Sequence, residues 1–410
     1  MRSLTIRAAA LAAAVASLAA CSDSVAVKLP TEPTVAPFML RYAAIGNSIT
    51  AGYQSGGIDD STQKQSYARL LALQAGTNYT YVALPKGCAP PLASFQTGAR
   101  IVVTTADACQ IKTSYPYLNN VAVPGATVAD FVTPYTGSYS ALTSFILSGR
   151  SQWRRAMDVS PTFVSVWLGN NDVLAAGVTG TLTPTAGVSP GVTPVKTFTT
   201  LYAAGVDSLV RAGVKHGVLI GVVNVSQVPV LFPAESLLTN PTFKAYFDAA
   251  LGTPSTVLAN CVGSGALVSL VGLSSAAGRQ ALTTISCVAG QPVAALGKTF
   301  ILDATEQASI TATVTAYNNY IHAKADSVGF AYWDPNTAFV TLRGAGAIPA
   351  LPDFTSPQPF GTFISLDGIH PSGAAHVLVA NALIDVINAK YQSTIPKITV
   401  APPPPVIATR

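Results

Sequence analysis

The amino-acid sequence predicts an α/β fold, a three-layer α/β/α sandwich with a central parallel sheet. Three observations lead to this prediction. Apolar runs of strand length recur along the chain, the apolar residues within them are successive and not alternating, and helical patterns lie between them. Continuous apolar runs indicate strands that are covered on both faces, as in a parallel sheet between two layers of helices. Strands and helices in alternation are typical of a doubly wound sheet.

The predicted strands matter for function because their ends locate a site. They are the segments 39–46, 80–84, 119–125, 162–169 and 217–223. In open parallel sheets, ligands bind outside the carboxyl ends of the strands. Ser48, Gly125 and Gly169 lie at three of these strand ends. We therefore expect a functional site at this edge of the sheet.

Four segments with a helical pattern lie between or after these strands. They are 65–76, 200–213, 306–328 and 371–391. The first two end at a glycine, a common C-terminal signal, and the last begins with Pro371 in its first turn. The sequence thus predicts helices of sufficient length to cover the sheet.

The predicted domain covers residues 39–395, with insertions near 173–199, 252–298 and 340–362. Its length alone allows two domains, since a domain usually holds about 100–200 residues. The strand and helix pattern favours one domain, because the insertions have a loop-like composition and no fixed period.

The first 20 residues read as a bacterial signal peptide. Arg2 and Arg7 give a positive start, and residues 8–20 form a small-residue apolar run that is short of the ~20 residues a membrane-spanning helix needs. Residues 18–21, Leu-Ala-Ala-Cys, resemble the lipobox of bacterial lipoproteins, which implies that Cys21 is acylated after cleavage. The alternative is a plain secretory signal in which Cys21 has no special role.

Two proline-containing segments flank the predicted domain. Residues 21–38 are predicted to be a tether between lipid and domain, and residues 396–410 to be a proline-rich tail. A cysteine with two or three acyl chains holds a protein on a membrane stably. We therefore expect an exported protein that is lipid-anchored to the bacterial cell envelope. Ser22 directly after the cysteine, with Asp23 only third, favours the outer membrane.

The charge of the chain argues against nucleic acid as a partner. Only 10% of the residues are charged, 49% are hydrophobic, and the net charge is +5. Arg2 and Arg7 leave with the predicted signal, so the positive excess of the mature chain is small. The sequence has no lysine and arginine cluster of the kind that binds a phosphate backbone.

Four cysteines remain once Cys21 is set aside, an even number that suits disulfide bonds in an oxidising compartment. Four cysteines permit three pairings. The pairs Cys88–Cys109 and Cys261–Cys287 are favoured because each is local in sequence. A zinc site is the competing interpretation, but no C-x-x-C or His-x-His spacing supports it, so no metal is expected.

The stretch SLDGIHPSG, 365–373, offers a base and a group to orient it. Asp367 and His370 are three residues apart, which in a turn lets the carboxylate reach the δ nitrogen of the imidazole. The ε nitrogen is then free to take a proton from a serine hydroxyl, which is a poor nucleophile without such a base. The alternative is that Asp367 caps the following helix and His370 is a surface residue.

Two further stretches offer hydrogen-bond donors for a developing oxyanion. In VWLGNNDV, 166–173, Asn171 follows a buried strand and can direct its amide into the end of the sheet. In VPGATVADF, 123–131, Gly125 has a backbone N–H that no side chain blocks. The alternative for both is an ordinary turn, since asparagine and glycine are common turn residues.

Taken in order, the blocks G-N-S, P-G-A-T, G-N-N-D and D-G-I-H-P resemble the SGNH/GDSL hydrolase family of serine esterases and lipases. The resemblance spans about residues 40–390. It implies Ser48 as nucleophile, His370 as base and Asp367 as the orienting acid. It also implies an oxyanion hole made by the Ser48 N–H, the Gly125 N–H and the Asn171 side chain. A flavodoxin-like fold follows from the same resemblance, and no cofactor is called for.

The chain departs from the family pattern at Asn47, where the family usually has aspartate. If that residue only supports the serine loop, activity survives the exchange. The expected function is hydrolysis of carboxylic esters through an acyl-enzyme, on lipids, acetylated glycans or small esters. Apolar and small residues around 90–140 and 173–199 favour hydrophobic acyl groups. The alternative is a non-catalytic surface lipoprotein that keeps the scaffold for ligand binding.

Overall fold

The computed structural model describes residues 36–101, 109, 115–134, 142–180, 191–288 and 299–399. The predicted signal peptide and Cys21, most of the tether and most of the tail lie outside the described residues. None of the helices in the described ranges is long and apolar enough to cross a membrane. Within those ranges the strands and helices are, in chain order, β1 Tyr42–Gly46, α1 Ser48–Ala51, α2 Asp60–Gln65, α3 Tyr67–Gln74, α4 Ala129–Val132, α5 Thr143–Leu147, α6 Gln152–Ala156, β2 Phe163–Trp167, α7 Asn171–Thr179, α8 Val195–Arg211, β3 His216–Ile220, β4 Leu231–Pro233, α9 Ser236–Thr239, α10 Pro241–Leu251, β5 Thr256–Val257, β6 Leu267–Ser269, α11 Ala276–Ala281, β7 Thr284–Ile285, β8 Ile301–Leu302, α12 Ala304–Val328, β9 Ala331–Trp333, α13 Pro335–Gly344 and α14 Gly373–Tyr391.

The central sheet is parallel and has the order β1-β2-β3-β9. Residues 119–123 run parallel to β1 on its other side, because Ala44 donates to the Asn119 carbonyl and accepts from the Val121 N–H at 2.7 and 2.9 Å. Counted in chain order with this segment, the five strands have the order 2-1-3-4-5, which is the flavodoxin-like arrangement. The chain reverses its direction of winding between β1 and β2, and such switch points hold ligand sites.

Helices cover both faces of the sheet, which confirms the predicted three-layer fold. Successive residues of β1 face opposite sides, as the pleat requires. Tyr42 and Ala44 belong to a buried apolar cluster with residues of α3 and α14. Ala43 and Ile45 belong to a second cluster with residues of α4, α8 and α12. All five residues of β1 are buried, in agreement with the continuous apolar run in the sequence.

The strand predicted at 80–84 is wrong, and Gln63 explains why. Its side-chain amide donates to the Val82 carbonyl at 2.7 Å and accepts from the Leu84 N–H at 3.1 Å. The Thr80 N–H donates to the Asn119 side chain at 2.8 Å. Side chains thus satisfy backbone groups that a strand would use in a ladder. The last strand of the sheet, β9, was not predicted because it has only three residues and two of them are half-buried.

The predicted helices at 65–76, 200–213, 306–328 and 371–391 correspond to α3, α8, α12 and α14. The expected start of the last helix is two residues early. Ser372 is its N-cap and accepts from the Ala375 N–H, so Pro371 lies before the helix and not in its first turn. The cap takes one of the backbone N–H groups that the first turn leaves without a partner.

The insertions are more ordered than their composition indicates. Within 252–288, the strands β5 and β7 pair with each other, and β6 joins β4 and β8 in a three-stranded antiparallel sheet. α7 and α8 occupy both ends of 173–199, and α13 extends to residue 344. Both predicted disulfides, Cys88–Cys109 and Cys261–Cys287, are formed.

Candidate active site

Ser48 lies at the carboxyl end of β1, as the first residue of the short helix α1. Asn47 caps this helix by accepting from the Ile49 N–H at 3.1 Å, so it supports the serine loop. Gly46 is required before it, because a Cβ at this position would lie 2.1 Å from the Thr50 hydroxyl oxygen. The residues G-N-S therefore pack closely against α1 where the chain leaves the buried strand, and the serine at their end is buried.

A continuous chain of hydrogen bonds joins Ser48 to His370 and Asp367. The Ser48 Oγ lies 2.9 Å from His370 Nε2, and His370 Nδ1 lies 2.8 Å from Asp367 Oδ2. Serine and histidine are 322 positions apart in the chain. With the Nδ1 proton directed at the carboxylate, Nε2 is unprotonated and accepts from the serine hydroxyl.

Backbone and side-chain donors surround the Asp367 carboxylate. Its Oδ1 accepts from the N–H groups of Ile369 and His370, both at 2.9 Å, and from the Ser365 hydroxyl at 3.1 Å. Its Oδ2 also accepts from the Gly56 N–H at 2.7 Å. Burial alone would raise the pKa of Asp367, but the charge of His370 and the hydrogen bonds from His370 and Gly56 lower it to about 2. The carboxylate is thus charged over the whole range in which an esterase works.

These contacts argue against the alternative interpretation of the D-G-I-H-P block. Ser372, and not Asp367, caps α14. His370 is not an isolated surface residue, since the ring of Tyr53 packs against it with 4.8 Å between the centroids. Sequence reasoning did not single out Tyr53, although it lies only five residues after Ser48.

The loop with Gly125 forms a tight turn beside the start of α7. The Ala126 N–H donates to the Val123 carbonyl at 3.0 Å, and Gly125 has a φ of +88°, which suits glycine in the third position of a type II turn. The Asn171 amide donates to the Ala126 carbonyl at 2.8 Å. An amide nitrogen carries two hydrogens, so one of them remains for a ligand.

Asp172, the next residue of α7, holds the same loop in place through its carboxylate. Its carboxylate accepts from the Val128 N–H at 2.9 Å and from the Thr193 hydroxyl at 2.6 Å. Burial raises the pKa of Asp172 to about 6, against the lowering effect of these two hydrogen bonds. Sequence reasoning passed over this residue, because an Asn-Asn-Asp run is also ordinary turn composition.

A cavity of about 340 Å³ opens beside Ser48 and His370. Its polar lining beside these two residues consists of Asn170, Asn171 and Thr341, and the rest is apolar or aromatic. Gly125 does not line it. The walls come mainly from α13, α14 and the segments 223–228 and 363–371, together with Ile348. None of the described residues of 90–140 lines the cavity, and of those in 173–199 only Leu174 does, although the sequence placed the apolar surroundings in these two segments.

Comparisons with known proteins give one family match. A family model described as GDSL-like Lipase/Acylhydrolase matches residues 42–383, a span that contains all four sequence blocks. No curated protein matches the chain. Among solved structures, a catalytic mutant of an acetylxylan esterase from Geobacillus stearothermophilus is 14% identical, covering 84% of this chain and 93% of that chain, with a TM-score of 0.36. Phospholipase A1 from Streptomyces albidoflavus NA297 is 16% identical, covering 85% of this chain and 98% of that chain, with a TM-score of 0.35. At these identities and TM-scores, the two likenesses carry no argument about substrate.

Proposed function

The chain belongs to the GDSL-like lipase/acylhydrolase family of serine hydrolases, and we propose that it cleaves carboxylic esters with Ser48, His370 and Asp367 as its catalytic triad. The observation that carries this assignment is the hydrogen-bonded chain from Ser48 Oγ through both nitrogens of His370 to the Asp367 carboxylate. A serine hydroxyl needs such a base, and the base needs a group that fixes its tautomer.

The reaction has two half-reactions at the same atoms. The Ser48 Oγ attacks the ester carbonyl while His370 Nε2 takes the hydroxyl proton, and Asp367 stabilises the imidazolium. The C–O bond to the alcohol then breaks, and the proton on Nε2 passes to the leaving alcohol. An acyl-enzyme remains, with the acyl group on Ser48. Water repeats the sequence in place of the serine, and the carboxylic acid leaves.

Negative charge on the tetrahedral oxygen is stabilised by N–H donors at the same edge of the sheet. We assign this role to the backbone N–H groups of Ser48 and Gly125 and to the free hydrogen of the Asn171 amide. The bond from Asn171 to the Ala126 carbonyl supports this assignment, because it holds the side chain and the glycine loop together. One such donor is worth about 3 kcal/mol in the transition state of related reactions.

Replacement of the nucleophile tests the assignment. Ser48→Ala should abolish hydrolysis of a short p-nitrophenyl ester, and a fluorophosphonate probe should label the wild-type protein at Ser48 alone. Ser208→Ala is a matched control, because the Ser208 hydroxyl donates to the Ala204 carbonyl of its own helix α8. An unchanged rate in Ser48→Ala would overturn the triad. A folded wild-type protein without any labelling would favour the non-catalytic binding scaffold.

We propose in addition that the protein is anchored to the envelope through lipid on Cys21. The lipobox-like residues 18–21 and the proline-containing segment that follows support this proposal. Metabolic labelling with a fatty acid should acylate the wild-type protein, and Cys21→Ala should lose the label and leave the membrane fraction. Equal membrane retention of the two proteins would contradict the anchor.

A further inference from the structure

We propose that the enzyme selects esters of medium-length fatty acids, and that the cavity beside Ser48 seats about ten carbons of the acyl chain. This inference rests on the proposed function, since it takes Ser48 as the atom that carries the acyl group. It names the acyl part of the substrate, which the family match leaves open.

The cavity follows the carboxyl edge of the sheet away from the nucleophile. Ser48 follows β1, Trp167 ends β2, Val223 follows β3 and Trp333 ends β9, and all four line the cavity. The strands are neighbours in that order. Three strand spacings of about 4.8 Å give a span of about 14 Å. An extended hydrocarbon chain advances about 1.3 Å per carbon, from its ~1.5 Å bonds, so this span corresponds to about eleven carbons.

The volume is large enough for such a chain. The cavity measures about 340 Å³. A group the size of a water molecule takes about 30 Å³ of liquid volume, and a methylene group is of similar size, so at least about ten such groups fit. An acetyl group would leave most of this apolar cavity unfilled.

Most polar groups of the lining lie beside the nucleophile, which decides what kind of group the cavity takes. Ser48, His370, Asn170 and Asn171 lie at the β1 and β2 end. The remaining lining is apolar or aromatic except for Thr341, which is exposed on α13. A sugar in this space would bury hydroxyl groups without hydrogen-bond partners, which is costly. A hydrocarbon chain has no such groups and gains from leaving water.

One face of α14 forms part of the cavity wall. Ala375, Leu378, Val379 and Ala382 line it, and their spacing of three and four residues places them on one stripe of the helix. Ala375 lies near His370 at the start of the helix. Ala382 lies seven residues further, about 10 Å along the axis. Ala382 is the lining residue of α14 farthest from His370 along the helix, so a larger side chain there fills cavity space away from the nucleophile.

The first experiment compares two series of esters at concentrations below their aggregation limit. In p-nitrophenyl esters from acetate to palmitate, kcat/KM should rise about two- to fourfold per methylene up to about ten carbons and then stop rising. In butyrate esters of alcohols of increasing length, no comparable rise is expected. A maximum at acetate, or an equal gain in the alcohol series, would overturn the inference. Absence of any hydrolysis and of fluorophosphonate labelling would instead overturn the proposed function.

A variant with a shortened cavity gives the second test. Ala382→Phe should lower the ratio of kcat/KM for decanoate to that for butyrate at least tenfold. Ala204→Phe, at an exposed position of the long helix α8, is the matched control and should leave the ratio unchanged. Thermal unfolding of both variants shows whether they are folded. If Ala382→Phe does not fold, Ala382→Leu is used in its place. An unchanged ratio in folded Ala382→Phe or Ala382→Leu would overturn the placement of the acyl chain.

Discussion

Replacing Asp367 with asparagine tests the pairing of acid and base most directly. One carboxylate oxygen accepts from the Gly56 N–H and from His370 Nδ1, at 2.7 and 2.8 Å. An amide nitrogen in its place presents hydrogens where an acceptor is needed. His370 then accepts at Nδ1 and carries its proton on Nε2, the atom 2.9 Å from the Ser48 Oγ. A protonated Nε2 does not take the serine proton, so hydrolysis should fail.

Asp367→Asn should lower both the rate of hydrolysis and the free energy of unfolding. In a serine protease the corresponding change lowers kcat about 10⁴-fold, and we expect about 10³- to 10⁴-fold here. The carboxyl pKa falls from 3.8 to about 2 on folding, which corresponds to about 2–3 kcal/mol of the free energy of unfolding at neutral pH. Because the folded pKa is the lower one, this contribution is complete well above pH 4 and is lost as the pH falls towards 2.

Steady-state kinetics and urea unfolding of wild type and Asp367→Asn measure both parts. We expect kcat to fall with little change in KM. The difference in unfolding free energy should be about 2–3 kcal/mol at pH 7 and about half of that at pH 3. A kcat within tenfold of wild type would refute the catalytic reasoning, and a stability difference that does not depend on pH would refute the electrostatic reasoning.

Three further predictions concern residues around the site and its insertions. Asn171→Ala should lower kcat about 10²- to 10³-fold in steady-state assays, and a loss below fivefold would remove this side chain from the oxyanion hole. Burial raises the pKa of Asp172 to about 6 from 3.8, so the folded protein holds this proton more tightly than the unfolded chain. The free energy of unfolding should therefore fall by about 2 kcal/mol between pH 4 and 6, and Asp172→Asn should flatten this slope in urea titrations. The double variant Cys261→Ser/Cys287→Ser opens a loop of 26 residues and should lower the free energy of unfolding by about 3.5 kcal/mol. Urea unfolding measures this change, and a midpoint equal to that of wild type would contradict it.

The sequence pointed to the side chains that the structure brings together, Ser48, His370 and Asp367, more clearly than to the walls of the cavity. Ser48, His370 and Asp367 lie in short blocks whose residue types are tied to one kind of chemistry, so each block points to a role. The three-layer fold was also predictable, because β1 to β3 are continuous apolar runs. The segment 80–84 looks like such a run, but the side chain of Gln63 binds its backbone and keeps it out of the sheet.

The cavity could not be predicted, because its walls are assembled from helix faces that are remote in sequence. Val228, Phe339 and Ile348 come from three separate segments, and none stands out from ordinary core residues. Asp172 was missed for a related reason. Its importance depends on its two partners, Val128 and Thr193, which the sequence does not place beside it.

Hydrogen bonds hold together the two ends of the site, which lie on segments that are synthesised far apart in time. The Ser55 N–H donates to the Ser365 hydroxyl, the Leu366 N–H donates to the Ser55 hydroxyl, and the Gly56 N–H donates to Asp367, each across at least 310 positions. Under the proposed mechanism, a nascent chain therefore carries Ser48 through almost the whole of translation without its base. A chain that stops before the C-terminal segment lacks His370 and should not hydrolyse esters.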